Sequence, residues 1–210
     1  MDAADRHTEI VNAAARLFER GGVAAITMRA VAHEAGVSLR LVQYYGRSKD
    51  ELLVAVLESH ATTSLNRWRS RLARGSTGRS MPDVVRTFLQ IALPTDKEGR
   101  TLHRVGTSVE LLAMTDDGPI ATAYQKHLRA LADVLVAALI RATPEIDPEL
   151  ARRLALQTMA MAHGIGTLLL LGQCTRREAE ASIDQFAAAI GFSDERGPRR
   201  KGRSPRRSKG

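Results

Sequence analysis

The stretch Thr27 to Tyr45, TMRAVAHEAGVSLRLVQYY, constrains the fold of this chain most strongly. It reads as two short helices joined by a tight turn. Val31, Ala32 and Ala35 place apolar groups on one side of the first helix. Ala35, Gly36 and Val37 form the turn, where Gly36 can take a positive φ without steric cost. Ser38 then caps the second helix by accepting a bond from a free backbone N–H. Leu41 and Val42 face inward, leaving Arg40, Gln43 and Tyr44 to face out. A pair of this size, with a glycine turn and a polar outer face, reads as a helix-turn-helix. The second helix of that motif enters the major groove of DNA, where base edges carry a distinct donor and acceptor pattern.

The rest of the chain is helical as well. At 210 residues it can bury a sizeable core. Aromatic residues are 4% of the total, and strand-like alternation is absent, so the expected class is all-α. The layout predicted is a helix-turn-helix domain over 1–47, a larger helical ligand-binding and dimerisation domain over 48–192, and a disordered basic tail over 193–210. The tail has no large apolar side chain to bury. It holds eight Lys/Arg and two Asp/Glu, whereas residues 1–50 hold seven and six. The basic pI is therefore a property of the tail, not of the helix-turn-helix. One cysteine, Cys174, excludes an intrachain disulfide framework and a multi-cysteine zinc site, and fits a reducing cytoplasm. Met1 to Arg20 lacks the apolar segment of a signal peptide. No cofactor motif is present.

Around the motif, Ile10, Ala13, Ala14, Leu17 and Phe18 form the apolar stripe of a helix from about residue 5 to Arg20, closed by Gly21-Gly22. Thr27 is placed to cap the next helix. Ser48 and Glu51 have the spacing of a capping box. A long fourth helix follows, with Leu52, Val56, Leu65, Trp68 and Leu72 at helical spacing.

Residues 10–53 resemble the DNA-binding domain of TetR-family transcriptional regulators. The agreement runs through Ile10, Ala13-Ala14, Leu17-Phe18, Gly21 or Gly22, Thr27, Ala32, Ala35-Gly36-Val37-Ser38, Tyr44, Ser48-Lys49 and Leu52-Leu53. Gln43 stands where a Tyr is usual, and Arg40 where a small residue is common. Gly46 stands where a Phe normally packs the third helix onto the first, which predicts a looser domain. The resemblance implies phosphate contacts from Thr27, Tyr44 and Lys49, the last with the free N–H groups of the fourth helix. It places Ser38, Leu39, Arg40 and Gln43 on the groove-facing side. Arg40 has the chemistry to read guanine and Gln43 to read adenine, and Arg29 is within reach of the groove or a phosphate. The plainer alternative for Arg29 and Arg40 is a solvated surface charge.

Further along, helices are expected after Met81-Pro82, over Leu102–Leu112, and from Tyr124 to Leu139, with a flexible loop at Arg74–Ser80. Leu154 to Thr175 carries no Asp, Glu, Lys or Arg. Gln157, Thr158, His163 and Thr167 interrupt it, so it reads as a helix buried on all sides, not as a membrane span. Thr175 and Glu178 form another capping box, for a last helix striped with Ala179, Ile183, Phe186, Ala187 and Ile190. Gly164 and Gly166 allow close helix approach. By resemblance, the last two helices pair with those of a second copy, giving a homodimer that matches a palindromic operator in double-stranded DNA.

The family's larger domain also implies a small-molecule effector. Trp68, His103, Val109, Met114, Tyr124, Met159, Met161 and His163 are the candidate lining, which suits a mostly apolar ligand. Met and aromatic residues at helical spacing also serve as plain core. Two other functions are weighed. A helical-bundle enzyme using His103, His127 and His163 lacks a nucleophile–base set or a metal-ligand spacing. A nucleoid-type protein would bind DNA through the tail without reading sequence. The leading expectation is a ligand-released repressor.

Overall fold

The computed structural model describes residues 3–73, 80–115 and 117–194, and within them the chain forms nine helices and no strand. The expected loop at 74–79 and residues 195–210 of the basic tail lie outside the described residues. Ser193 and Asp194, assigned to that tail by composition, belong instead to the last helix.

Helix α1 spans Ala3–Ala25, but Gly21 and Gly22 leave helical geometry inside it. The glycine pair thus interrupts the helix where the sequence predicts. Helix α2, Met28–Ala35, is capped by Thr27, whose hydroxyl accepts the Ala30 N–H at 3.1 Å. Gly36 closes α2 at φ 66°, ψ 31°, the left-handed region that disfavours any side chain. Helix α3, Leu39–Gly46, is capped by Ser38. Helix α4, Lys49–Ala73, begins where the Ser48 hydroxyl accepts the Glu51 N–H. The Glu51 carboxylate lies 3.8 Å from Arg47.

Helices α5 (Met81–Ala92), α6 (Lys97–Thr115), α7 (Pro119–Ala142), α8 (Pro148–Leu170) and α9 (Arg176–Asp194) complete the chain. Ser80 and Asp83 make a full capping box at α5, and Pro82 sits in its first turn. Thr175 and Glu178 exchange the same pair of bonds at α9, at 2.7 and 3.2 Å.

Two cores form. One joins Ile10, Ala14, Phe18, Ile26, Val31 and Val42 to Leu52, Leu53, Val56 and Leu57 at the start of α4, and to Val105 and Val109 of α6. The other lies between α4, α5, α7, α8 and α9 and contains Trp68, Phe88, Leu135, Leu139 and Ile183. Helices α4 and α6 therefore have side chains in the helix-turn-helix core while running beside the larger bundle.

Two expectations need correcting. The structure leaves no gap beside Gly46. That glycine is buried, and a Cβ there would meet Leu52 Cγ at 2.8 Å, so Leu52 packs where a side chain on residue 46 would begin. Nor is α8 buried on all sides. Ala151, Leu154, Ala155 and Thr158 are buried, but Leu156 is 70% and Leu168 47% exposed, as is Leu171 just past its end. The apolar sequence of α8 thus leaves one greasy face outside the single chain. Among the described residues, no helix is long and apolar enough to cross a membrane.

Candidate nucleic-acid interface and cavity

The outer face of α3 follows directly from its inner one. Val42 is fully buried and Leu41 partly so, which turns Arg40, Gln43 and Tyr44 to solvent. Tyr44 is 73% exposed and meets Tyr45 edge to face at 4.9 Å. Ser38 is exposed and Leu39 half-buried at the start of the same helix. Thr27 and Arg29 are exposed at the start of α2, and Lys49 is exposed as the first residue of α4. Seven of the eight residues singled out from the sequence thus lie on or at the ends of the short helices α2 and α3, and Lys49 opens α4; all but Leu39 are solvent-exposed. The side-chain donors of all but Leu39 suit phosphate and base edges.

The helix-turn-helix is held by a charged clamp on another side. Glu34 of α2 accepts from Arg16 Nε at 2.8 Å and also from Arg20, both on α1. The Arg20 bond, then the Arg16 bond, holds the Glu34 carboxyl down at about 2.

A cavity of about 210 Å³ opens in the larger bundle. Its wall comes from α4, α5, α6, α7 and α8. Of the residues expected there, His103, Val109, Tyr124, Met159 and His163 do line it. Trp68, Met114 and Met161 do not. Trp68 is stacked on Phe88 at 4.0 Å inside the core, Met114 is 71% exposed, and Met161 packs against the bundle core.

Two imidazoles escaped the expectation, His60 of α4 and His127 of α7. A signal for both was present. His60 follows Val56, and His127 precedes Leu131, each at the four-residue spacing of one apolar face. Burial pushes both below the ordinary histidine value, opposed at His60 by Glu19. His60 Nε2 and His127 Nδ1 are buried without a hydrogen-bond partner; Glu19 Oε1 stands 4.0 Å from the former, in range only for a loose ion pair.

His103 stacks on His163 at 5.7 Å and shares a hydrogen bond of 3.1 Å with Thr167 Oγ1. Burial, then the neighbouring His163, lowers its basicity. A Cβ on Gly166 would meet His103 Nδ1 at 2.7 Å, so this glycine seats the ring within the chain. Gly164, in contrast, has open space beside it. Tyr124 is pushed up to about 12 by burial and by Glu110, whose carboxylate lies 3.4 Å from His163 Nε2. No group of three or more metal-ligating side chains is assembled among the described residues.

Val105 and Val109 both line the cavity and belong to the helix-turn-helix core. The wall of the cavity is thus in direct van der Waals continuity with the domain that carries Arg40 and Gln43.

Comparison with known proteins agrees with this geometry. Residues 10–56 match the family model for bacterial regulatory proteins of the tetR family. No curated protein matches the chain by sequence. Among solved structures, a Rhodococcus sp. protein assigned to the TetR family of transcriptional regulators superposes with a TM-score of 0.67 at 20% identity, covering 90% of this chain and 98% of that one. A transcriptional regulator of Saccharomonospora viridis in complex with choline gives 0.73 at 20% identity, covering 88% and 96%. The multidrug binding protein EbrR complexed with proflavin gives 0.64 at 24% identity, covering 88% and 99%. Over residues 10–56 the chain carries the helix-turn-helix domain of the TetR family of bacterial regulators, and it has the fold of TetR-family transcriptional regulators.

Proposed function

We propose that the protein is a cytoplasmic, homodimeric transcriptional repressor, released from a palindromic operator by a small, mostly apolar effector. The observation that carries this reading is the solvent-facing set Arg40, Gln43 and Tyr44 on a helix fixed by the Gly36 turn and the Ser38 cap. Arg40 and Gln43 read bases, while Thr27, Arg29, Tyr44 and Lys49 hold phosphates. Ser38 and Leu39 approach the groove floor at the helix start.

The dimer reading is supported by α8. Leu156, Ala160 and Gly164 of α8, with Leu171 at its C-cap, fall within about 80° of one another on a helical wheel, and Leu156, Ala160 and Leu171 are exposed. Exposed Ala181 and Ala188 of α9 extend the face with small side chains. A second copy buries this surface, and its two-fold axis sets two recognition helices about 34–36 Å apart, one turn of DNA.

Effector control runs through α4 and α6. Each lines the cavity and packs into the helix-turn-helix core. A ligand that fits the cavity only when these helices shift favours the state with the wrong spacing of recognition helices. That relatives of this fold hold choline and proflavin supports an effector site here.

The test is sedimentation of the wild-type protein and of the double variant Leu156→Glu with Leu171→Glu. Wild type is expected near twice 22.9 kDa, and the variant as a folded monomer with DNA affinity lower by tenfold or more. A monomeric wild type that still binds DNA tightly contradicts the dimer.

A further inference from the structure

The cavity does not end at its apolar wall. A second, smaller cavity of about 150 Å³ adjoins it, and Ser64, Ala92, Leu102 and His103 line both. Its far wall holds Arg67 of α4 beside Trp68. Neither cavity has Asp, Glu or Lys in its wall, so Arg67 is the one permanently charged side chain lining either of them among the described residues.

The partners of Arg67 are unequal to it. Its own side chain is 16% exposed, while Glu98 and Asp96 are 64% and 62% exposed. Arg67 Nη1 lies 2.8 Å from Glu98 Oε1, and Nη2 lies 3.9 Å from Asp96. Guanidinium offers five N–H donors in a flat fork that matches a carboxylate. Glu98 returns to water at little cost if another carboxylate takes its place. A quaternary or primary ammonium finds no carboxylate in either cavity wall, since Glu98 and Asp96 are held on Arg67, Glu110 on His163 and Glu19 near His60 without lining either cavity. It would enter an apolar wall carrying imidazoles, facing a like charge at the far end, with its own charge unpaired.

Resting on the reading of this cavity as the effector site, we propose that the effector is a small organic acid. Its apolar body fills the larger cavity and its carboxylate pairs with Arg67 in the smaller one, displacing Glu98. The exchange has a structural consequence. Asp96 precedes α6 and Glu98 lies in its first turn, and Gly99 N–H is tied back to Asp96 Oδ1 at 2.6 Å. Losing the Arg67–Glu98 bond frees the first turn of α6 from α4. Val105 and Val109, two and three turns further along α6, sit in the helix-turn-helix core. Acid recognition and the DNA-binding domain thus share one helix.

Trp68, the chain's single tryptophan, lines the smaller cavity and reports its occupancy directly. The experiment titrates the full-length protein with octanoate, 1-octanol and octyltrimethylammonium while reading Trp68 emission. Octanoate is expected to saturate, with the ammonium weaker by about tenfold or more. Arg67→Gln is expected to lose about tenfold for octanoate and little for octanol. Glu98→Gln, an exposed change that leaves the core intact, is expected to tighten octanoate severalfold by removing the competitor. The proposal is overturned if the ammonium binds as well as octanoate, if octanoate gives no saturable response, if Arg67→Gln binds octanoate as tightly as wild type, or if Glu98→Gln fails to tighten it. DNA retention is measured separately. Octanoate that fills the cavity but leaves the DNA complex intact upholds the ligand chemistry and contradicts effector release instead.

Discussion

Leu52 occupies the space that a side chain on residue 46 would need, with its Cγ 2.8 Å from where a Cβ on Gly46 would stand. Leu52 is itself fully buried. Gly46→Ala therefore overpacks the helix-turn-helix core, at a cost of about 1–3 kcal/mol. Gly46→Phe, which restores the residue usual in the family, is expected to unfold the domain. Urea denaturation followed by circular dichroism distinguishes the two. An unchanged midpoint for Gly46→Phe would show that Leu52 is not the filler.

His103 and Gly166 have a similar relationship with a different outcome. His103 borders open cavity space, so Gly166→Ala displaces the ring into the cavity instead of jamming a core. Its bond to Thr167 is lost at the same time. Binding of 1-octanol is expected to weaken severalfold, with a stability loss of about 1 kcal/mol. Calorimetric titration of wild type and variant provides the comparison.

Glu34 makes folding sensitive to acid. Its carboxyl is lowered from 4.5 to about 2 by Arg20 and then Arg16. The unfolded chain therefore binds its proton first as pH falls. The stabilisation is complete above about 4.5 and is lost progressively down to about 2. Thermal melts of wild type between these values should fall more steeply than those of Glu34→Gln. Parallel slopes would remove the clamp from the account.

The buried imidazoles act on the other side of that window. Burial lowers His127 below 6.5 in the folded chain. Above 6.5 both folded and unfolded forms are neutral and pH has no effect through this group. Below 6.5 the unfolded form takes a proton first, so stability drops as pH falls. His127→Leu should flatten the melting temperature across pH 7 to 5. A slope that persists in the variant assigns the effect to His60 or His103, which are lowered in the same direction.

The short-range parts of this protein were legible in its sequence. Thr27, Gly36 and Ser38 act within three or four residues of themselves, so their capping and turn roles follow from residue type and position. The apolar stripes of α1 and α9 read correctly for the same reason. The cavity wall was only half legible, because five helices contribute to it and their rotation is set by packing partners far along the chain. Trp68 turns to stack on Phe88 in the core. Met114, at the same kind of spacing, ends in solvent. Gly46 misled because the filling residue, Leu52, comes from the next helix. Leu154–Thr175 misled because an apolar stretch without charges does not say that every face of its helix is covered within the chain, and Leu156 and Leu168 are exposed.

The central claim is that α3 reads DNA sequence as half of a two-fold pair. Selection of binding sites from random duplex DNA tests it most directly, using protein ending at Asp194 so that the basic residues 195–210 contribute nothing. The expected result is enrichment of a palindrome with half-sites centred about one helical turn apart, and a changed preference inside each half-site for Arg40→Ala and Gln43→Ala. Enrichment of no sequence, while the full-length chain still retains DNA, would contradict it and assign the binding to the tail.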